Sequence, residues 1–166
     1  MISCEVIEEV NLDLSNLKEP GSSKRIQERI KIPAFELHSQ EIETPYLFDL
    51  DLNIINTNGS FVLTGQITGV LSLICSRCLE KFEHEIQVEI EEELLKEELE
   101  NLERVDLIGI LQENILLNLP IKILCSKDCK GLCTICGQNL NEKECGCERE
   151  AIDPRLAILK DFYKKS

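Results

Sequence analysis

Phe61-Val-Leu-Thr-Gly-Gln-Ile-Thr-Gly-Val-Leu-Ser-Leu-Ile-Cys75-Ser-Arg-Cys78 and the following Lys81-Phe-Glu-His-Glu-Ile-Gln-Val-Glu-Ile-Glu91 decide the fold of this chain. In the first stretch Phe61, Leu63, Gly65, Ile67, Gly69, Leu71 and Leu73 share one parity. In the second, Phe82, His84, Ile86, Val88 and Ile90 alternate with Glu83, Glu85, Gln87, Glu89 and Glu91. A period of two belongs to strands with one face on a core and one face in water. Cys75 and Cys78 therefore fall at the tip of a hairpin.

Working outward, Tyr46, Phe48, Leu50, Leu52 and Ile54 alternate in the same way, and Asn58-Gly59 supplies a turn toward Phe61. Upstream, Leu12 to Leu17 is read as a short helix, Pro20-Gly-Ser-Ser23 as a break, and Lys24 to Ile32 as a strand. Downstream, Leu94 to Arg104 reads as a charged helix. Asp106 can cap a second helix with Leu107, Leu111 and Ile115 at four-residue spacing, ended by Pro120. Ile121 to Leu124 suits a short strand. Asp153-Pro154 starts a last helix with an apolar stripe of Leu156, Leu159 and Phe162.

The fold class expected is α+β: an antiparallel β-sheet with a few helices and a C-terminal cysteine-rich zinc-binding region. Residues 1–120 form the β-rich core, 121–150 the cysteine-rich region, and 151–166 a C-terminal helix packing on the core. At 166 residues the chain has room for that arrangement. Aromatic residues make up only 4% and Trp is absent, so Leu, Ile and Val must fill the core.

The first ten residues carry acids where a signal peptide needs bases, and Val70 to Cys75 is too short to span a membrane. A soluble, cytoplasmic protein is expected. In a reducing compartment, nine cysteines with close pair spacings point to metal rather than disulfides. The net charge of −13 disfavours nonspecific attraction to phosphate backbones, but the charge is unevenly placed. Residues 83–104 hold ten acids against Lys96 and Arg104, whereas residues 120–166 hold nine bases against seven acids.

Cys75-x2-Cys78, Cys125-x3-Cys129, Cys133-x2-Cys136-Gly137 and Cys145-x-Cys147 supply eight thiolates, the number that two tetrahedral Cys4 zinc sites consume. Cysteine turns of this kind let two sulfurs grip one ion while turn amides offset their charge. The favoured pairing places Cys133, Cys136, Cys145 and Cys147 on one ion, and Cys75, Cys78, Cys125 and Cys129 on the other. A rival joins Cys75 and Cys78 with Cys133 and Cys136, and spacing does not choose between them. Arg77, Lys127, Lys130, Lys143 and Arg149 stand close enough in sequence to offset the −2 charge of each full site. Unliganded thiols are the plain alternative. The spacing does not match common iron–sulfur runs, and a Cys-x-x-Cys between two strands is not the usual redox placement. Cys4 lies outside the pairs.

Cys75-Ser-Arg-Cys78-Leu79 at a strand end, with Leu124-Cys-Ser-Lys-Asp-Cys-Lys-Gly-Leu-Cys-Thr-Ile-Cys-Gly-Gln-Asn-Leu-Asn141, resembles the YceD family of large ribosomal RNA subunit accumulation proteins. Thr134 stands where a proline often follows the first cysteine of the later turn, and family members differ in how much of the later cluster they keep. The resemblance implies a role in accumulation or maturation of large-subunit (23S) ribosomal RNA, without fixing the zinc load or the mechanism.

The function expected is that of a non-enzymatic ribosome biogenesis factor that binds a large-subunit ribosomal protein or an rRNA precursor, with no membrane and no small-molecule substrate. Glu83, Glu85, Glu89 and Glu91 are the candidates for a basic protein partner; Lys127, Lys130, Lys143 and Arg149 are the candidates for RNA. The plain account of the glutamates is a sheet face turned to water. A metal-dependent RNA-processing enzyme is the first alternative, but His38 lies in a polar linker, His84 is on an apolar strand face, and no phosphate loop or nucleophile motif appears. A zinc-storage or redox-switch protein is the second.

Overall fold

The computed structural model describes residues 11–37 and 40–147. In chain order its elements are β1 (Asn11–Leu12), β2 (Ser23–Ile30), β3 (Phe35–Leu37), β4 (Gln40–Ile42), β5 (Phe48–Asn56), β6 (Ser60–Ile74), β7 (Lys81–Leu95), β8 (Val105–Asp106) and α1 (Leu107–Asn118). The main sheet is antiparallel with strand order β2-β5-β6-β7; β3 pairs with β4, and β1 with β8. This is mostly an antiparallel β structure, and its described residues contain one helix where a few were expected.

The alternation reads directly into burial. Phe48, Leu50, Leu52 and Ile54 of β5 turn inward, as do Leu63, Ile67 and Leu71 of β6 and Val88 and Ile90 of β7. They meet Leu107, Leu111 and Ile115 of α1, whose Asp106 cap accepts a hydrogen bond from the Gly109 N–H at 2.9 Å. Capping of this kind contributes about 1 kcal/mol to helix stability. Gly65 is required where β5 passes close: a Cβ there would lie 2.1 Å from the Asp51 carbonyl oxygen. Gly69 likewise makes room for the Phe48 ring.

Several expectations are corrected. Leu12 to Leu17 is not helical: Leu12 belongs to β1, and the Asp13 carboxylate accepts from the Ser15 N–H at 2.8 Å, which turns the chain. Leu94 to Arg104 is not a helix either. Leu94 and Leu95 complete β7 opposite Phe61 and Ser60, and the Lys96 N–H continues the ladder to the Gly59 carbonyl. A run of acids with only Lys96 and Arg104 for partners has little i,i+4 support as a helix. Ile121 to Leu124 forms no strand, and Ile121 is fully exposed.

Tyr46 precedes β5 rather than joining it, and its hydroxyl donates to Glu83 at 3.0 Å. The turn at Asn58-Gly59 is present, but neither residue has positive φ. It is held instead by Thr57, whose N–H and hydroxyl both bond the Ser60 carbonyl. The last helix expected from Asp153 lies outside the described residues. Among the described residues, no helix is long and apolar enough to cross a membrane.

Candidate metal centres

The β6–β7 hairpin ends in a tight turn. The Leu79 N–H bonds the Cys75 carbonyl at 3.0 Å, and the Cys75 N–H bonds the Glu80 carbonyl at 2.9 Å. Cys133 repeats that geometry: the Gly137 N–H reaches its carbonyl at 2.9 Å, and its own N–H reaches the Gln138 carbonyl at 2.8 Å. Each turn closes on a left-handed residue, Leu79 at φ 61° and Gly137 at φ 74°. The leucine holds a conformation costing about 1–2 kcal/mol relative to glycine, while its side chain is 64% exposed. That cost secures no apolar burial; it keeps the turn's amides aimed inward at the sulfurs.

Two backbone bonds dock the later segment on this tip. The Ser76 N–H donates to the Ile123 carbonyl at 2.8 Å, and the Leu132 N–H to the Arg77 carbonyl at 3.1 Å. The Arg77 guanidinium adds a bond to the Cys129 carbonyl at 2.9 Å. Cys75, Cys78, Cys125 and Cys129 thereby converge, their sulfurs all within 4.8 Å of one another. Cys133, Cys136, Cys145 and Cys147 form the second such group. Cys75 and Cys78 thus lie with Cys125 and Cys129, not with Cys133 and Cys136.

The separations fit a tetrahedral metal. Sγ of Cys75 is 3.8 Å from that of Cys129, and Sγ of Cys78 is 3.7 Å from that of Cys125. Four sulfurs each about 2.3 Å from a central ion stand about 3.8 Å apart, far beyond a disulfide bond of about 2.05 Å. The first group is the more enclosed: Cys75, Cys78 and Cys129 are buried against Phe82 and Leu124, and Cys125 is exposed. In the second, Cys133 is buried, Cys136 exposed, and Cys145 and Cys147 half-buried.

Electrostatics of the first group are those of four thiols unable to ionise together. Burial opposes ionisation of Cys75, but the amides of Cys78, Cys125 and Arg77 outweigh it and bring the thiol down to about 6. Burial, with the sulfurs of Cys129, Cys78 and Cys75, pushes Cys125 up to about 12. The Glu80 amide favours the Cys78 thiolate, yet burial and the Cys75 and Cys129 sulfurs prevail and raise it. Cys129 is lowered against burial by the Asn141 amide and the Gly131 N–H. In the second group the amides of Cys136 and Ile135 draw Cys133 down to about 6, and Cys147 is pushed up to about 12 by the Cys136 sulfur and burial. A soft divalent cation held by each group would relieve this repulsion.

Asn141 escaped the sequence reading. Its side-chain N–H donates to the Cys129 sulfur at 3.4 Å, while its carbonyl oxygen accepts from the Lys130 N–H at 2.7 Å. Its place in the Cys-Gly-Gln-Asn-Leu-Asn141 run was the available signal. Lys127, Lys130 and Lys143 are exposed, Lys130 lying 3.8 Å from Glu144; Arg149, Cys4 and His38 lie outside the described residues. His84 packs edge-on to Phe82 with ring centroids 6.3 Å apart. Glu83, Glu85, Glu89 and Glu91 are exposed together on the face of β7 turned away from the core.

The profile of the YceD family, large ribosomal RNA subunit accumulation protein, matches residues 63–163, which include both sulfur groups. The chain belongs to the YceD family. An uncharacterized protein of Mycobacterium bovis and another of Mycobacterium tuberculosis (H37Rv) are each 28% identical to it over 165 residues, covering 90% of this chain and 79% of the relative. The large ribosomal RNA subunit accumulation protein YCED homolog 1, chloroplastic, of Arabidopsis thaliana is 35% identical over 52 residues, 31% of this chain and 16% of the relative. No solved structure matches significantly.

Proposed function

We propose that this YceD-family chain is a non-enzymatic cytoplasmic factor that promotes accumulation of 23S ribosomal RNA by binding a large-subunit ribosomal protein or an rRNA precursor. The observation that carries the reading is the family match over residues 63–163. In this proposal Cys75, Cys78, Cys125 and Cys129 hold one structural Zn2+, and Cys133, Cys136, Cys145 and Cys147 a second. All-thiolate sets of four are closed, leaving no position at which a water or substrate is activated, which supports scaffolding over catalysis.

The Glu83, Glu85, Glu89 and Glu91 face suits a basic protein; Lys127, Lys130, Lys143 and Arg149 suit RNA. Deleting the gene should lower 23S relative to 16S ribosomal RNA, and a plasmid copy should restore it. An unchanged ratio would remove the functional reading. Hydrolysis of precursor RNA by the purified, metal-replete protein would replace it with the enzymatic alternative.

A further inference from the structure

The outer edge of β7 is a feature that the cysteine groups leave unused. β7 pairs with β6 alone, at the end of the sheet, over 15 residues in unbroken register from Ser60↔Leu95 to Ile74↔Lys81. At about 3.4 Å per residue that is an edge of roughly 50 Å. It contains no proline and no bulge, two of the usual devices that blunt an edge.

The direction of its hydrogen bonds follows from the two ends of the ladder. The Cys75 N–H bonds Glu80, and the Lys96 N–H bonds Gly59, so even-numbered residues of β7 face β6. Antiparallel pairing alternates. The N–H and C=O groups of Glu83, Glu85, Gln87, Glu89 and Glu91 therefore point out of the sheet. Among the described residues nothing bonds them.

The same residues carry the charge. Ion pairs among the described residues join Arg25 to Asp51, Arg29 to Asp49, Lys81 to Glu43 and Lys130 to Glu144, and none takes up Glu85, Glu89 or Glu91. Between β7 and the end of α1 lies a small, mainly polar cleft, to which Glu85, Gln87 and Asn118 contribute beside His84, Ile86 and Leu119.

We propose that the β7 edge takes up an extended, lysine- and arginine-rich protein segment as a fifth strand. This rests on the reading above of a protein that acts by binding, and it narrows the partner's chemistry. Backbone groups supply the affinity of strand addition, and alternate side chains supply its selectivity. Basic side chains of the incoming strand would oppose the glutamates. A second copy adding β7 to β7 would set glutamate against glutamate. RNA offers no strand and is repelled by the same row.

The test uses the full-length, metal-replete protein and a nine-residue peptide of alternating lysine and valine. On binding, amide exchange of Glu85, Gln87, Glu89 and Glu91 should slow by roughly tenfold at about 90% occupancy, with Ile86, Val88 and Ile90 unchanged. Methylating the peptide's backbone nitrogens along the edge that meets β7 should abolish the effect, as should Gln87→Pro, which deletes one outward N–H and spares the β6 ladder. Binding without this protection, or with protection insensitive to methylation, would overturn the proposal. So would edge amides already protected before peptide is added, whether by residues 148–166 or by self-association. If the protection appears but Gln87→Pro cells accumulate 23S RNA normally, the edge site stands and its link to the functional reading fails. If 23S RNA depends on the protein but no protection appears, the function stands and the edge site falls.

Discussion

Replacing Cys75 by Ser should unfasten the sheet from the segment after α1. The sulfurs of Cys75 and Cys129 are 3.8 Å apart in space and 54 residues apart in sequence. By the chain-entropy relation for a cross-link, closing a loop of that length contributes about 4 kcal/mol. The second group closes only the short stretch from Cys136 to Cys145, for which the same relation gives about 2.7 kcal/mol. Cys75→Ser should therefore lower the unfolding temperature by roughly 8–16 °C, at about 2–4 °C per kcal/mol for a chain of this size. Cys136→Ser should lower it less and leave exchange protection across β5, β6 and β7 nearly intact. Differential scanning calorimetry under reducing conditions, with metal content measured on the same samples, reads both. If Cys75→Ser retains two equivalents of metal and the parent's unfolding temperature, or if Cys136→Ser proves the more damaging, the reasoning is wrong.

Metal binding should release protons in a pH-dependent number. Cys78 and Cys125, both raised above the ordinary thiol range, are protonated near pH 7, so loading the first site there should free at least two protons; because Cys75 is drawn down to about 6, the count should rise by at least one as pH falls through that value. A pH-indicator titration checks this, and a count independent of pH would count against it. Asn141→Ala removes the N–H donor to the Cys129 sulfur and should weaken metal binding by roughly 10–100-fold in chelator competition. Asp106→Ala should cost about 1 kcal/mol in denaturant unfolding through the lost cap, with metal content unchanged.

What was legible in the sequence follows the strength of the local signal. Alternation at Phe48 to Ile54 and at Phe82 to Ile90 is sustained by burial on one face, and those strands formed with the inward sets expected. Leu94 to Arg104 misled because its acids suit a helix by propensity, whereas pairing with Ser60 and Phe61 was already available from β6. Leu12 to Leu17 misled because apolar spacing says nothing of Asp13 capturing a backbone N–H. The β3–β4 hairpin was missed, since three-residue strands carry too few alternations to read. The four cysteine pairs were plain. Their grouping was not, because it depends on the Ser76–Ile123 and Arg77–Leu132 backbone bonds, which seat a segment remote in sequence on the hairpin tip.

The most direct measurement is a cobalt titration of the metal-stripped full-length protein, followed by visible absorption. Two closed tetrathiolate centres predict intense tetrahedral d–d bands that grow to saturation at two equivalents and vanish stepwise as zinc displaces the cobalt. Saturation at one equivalent or less, or the weak absorption of a six-coordinate ion, would contradict the account.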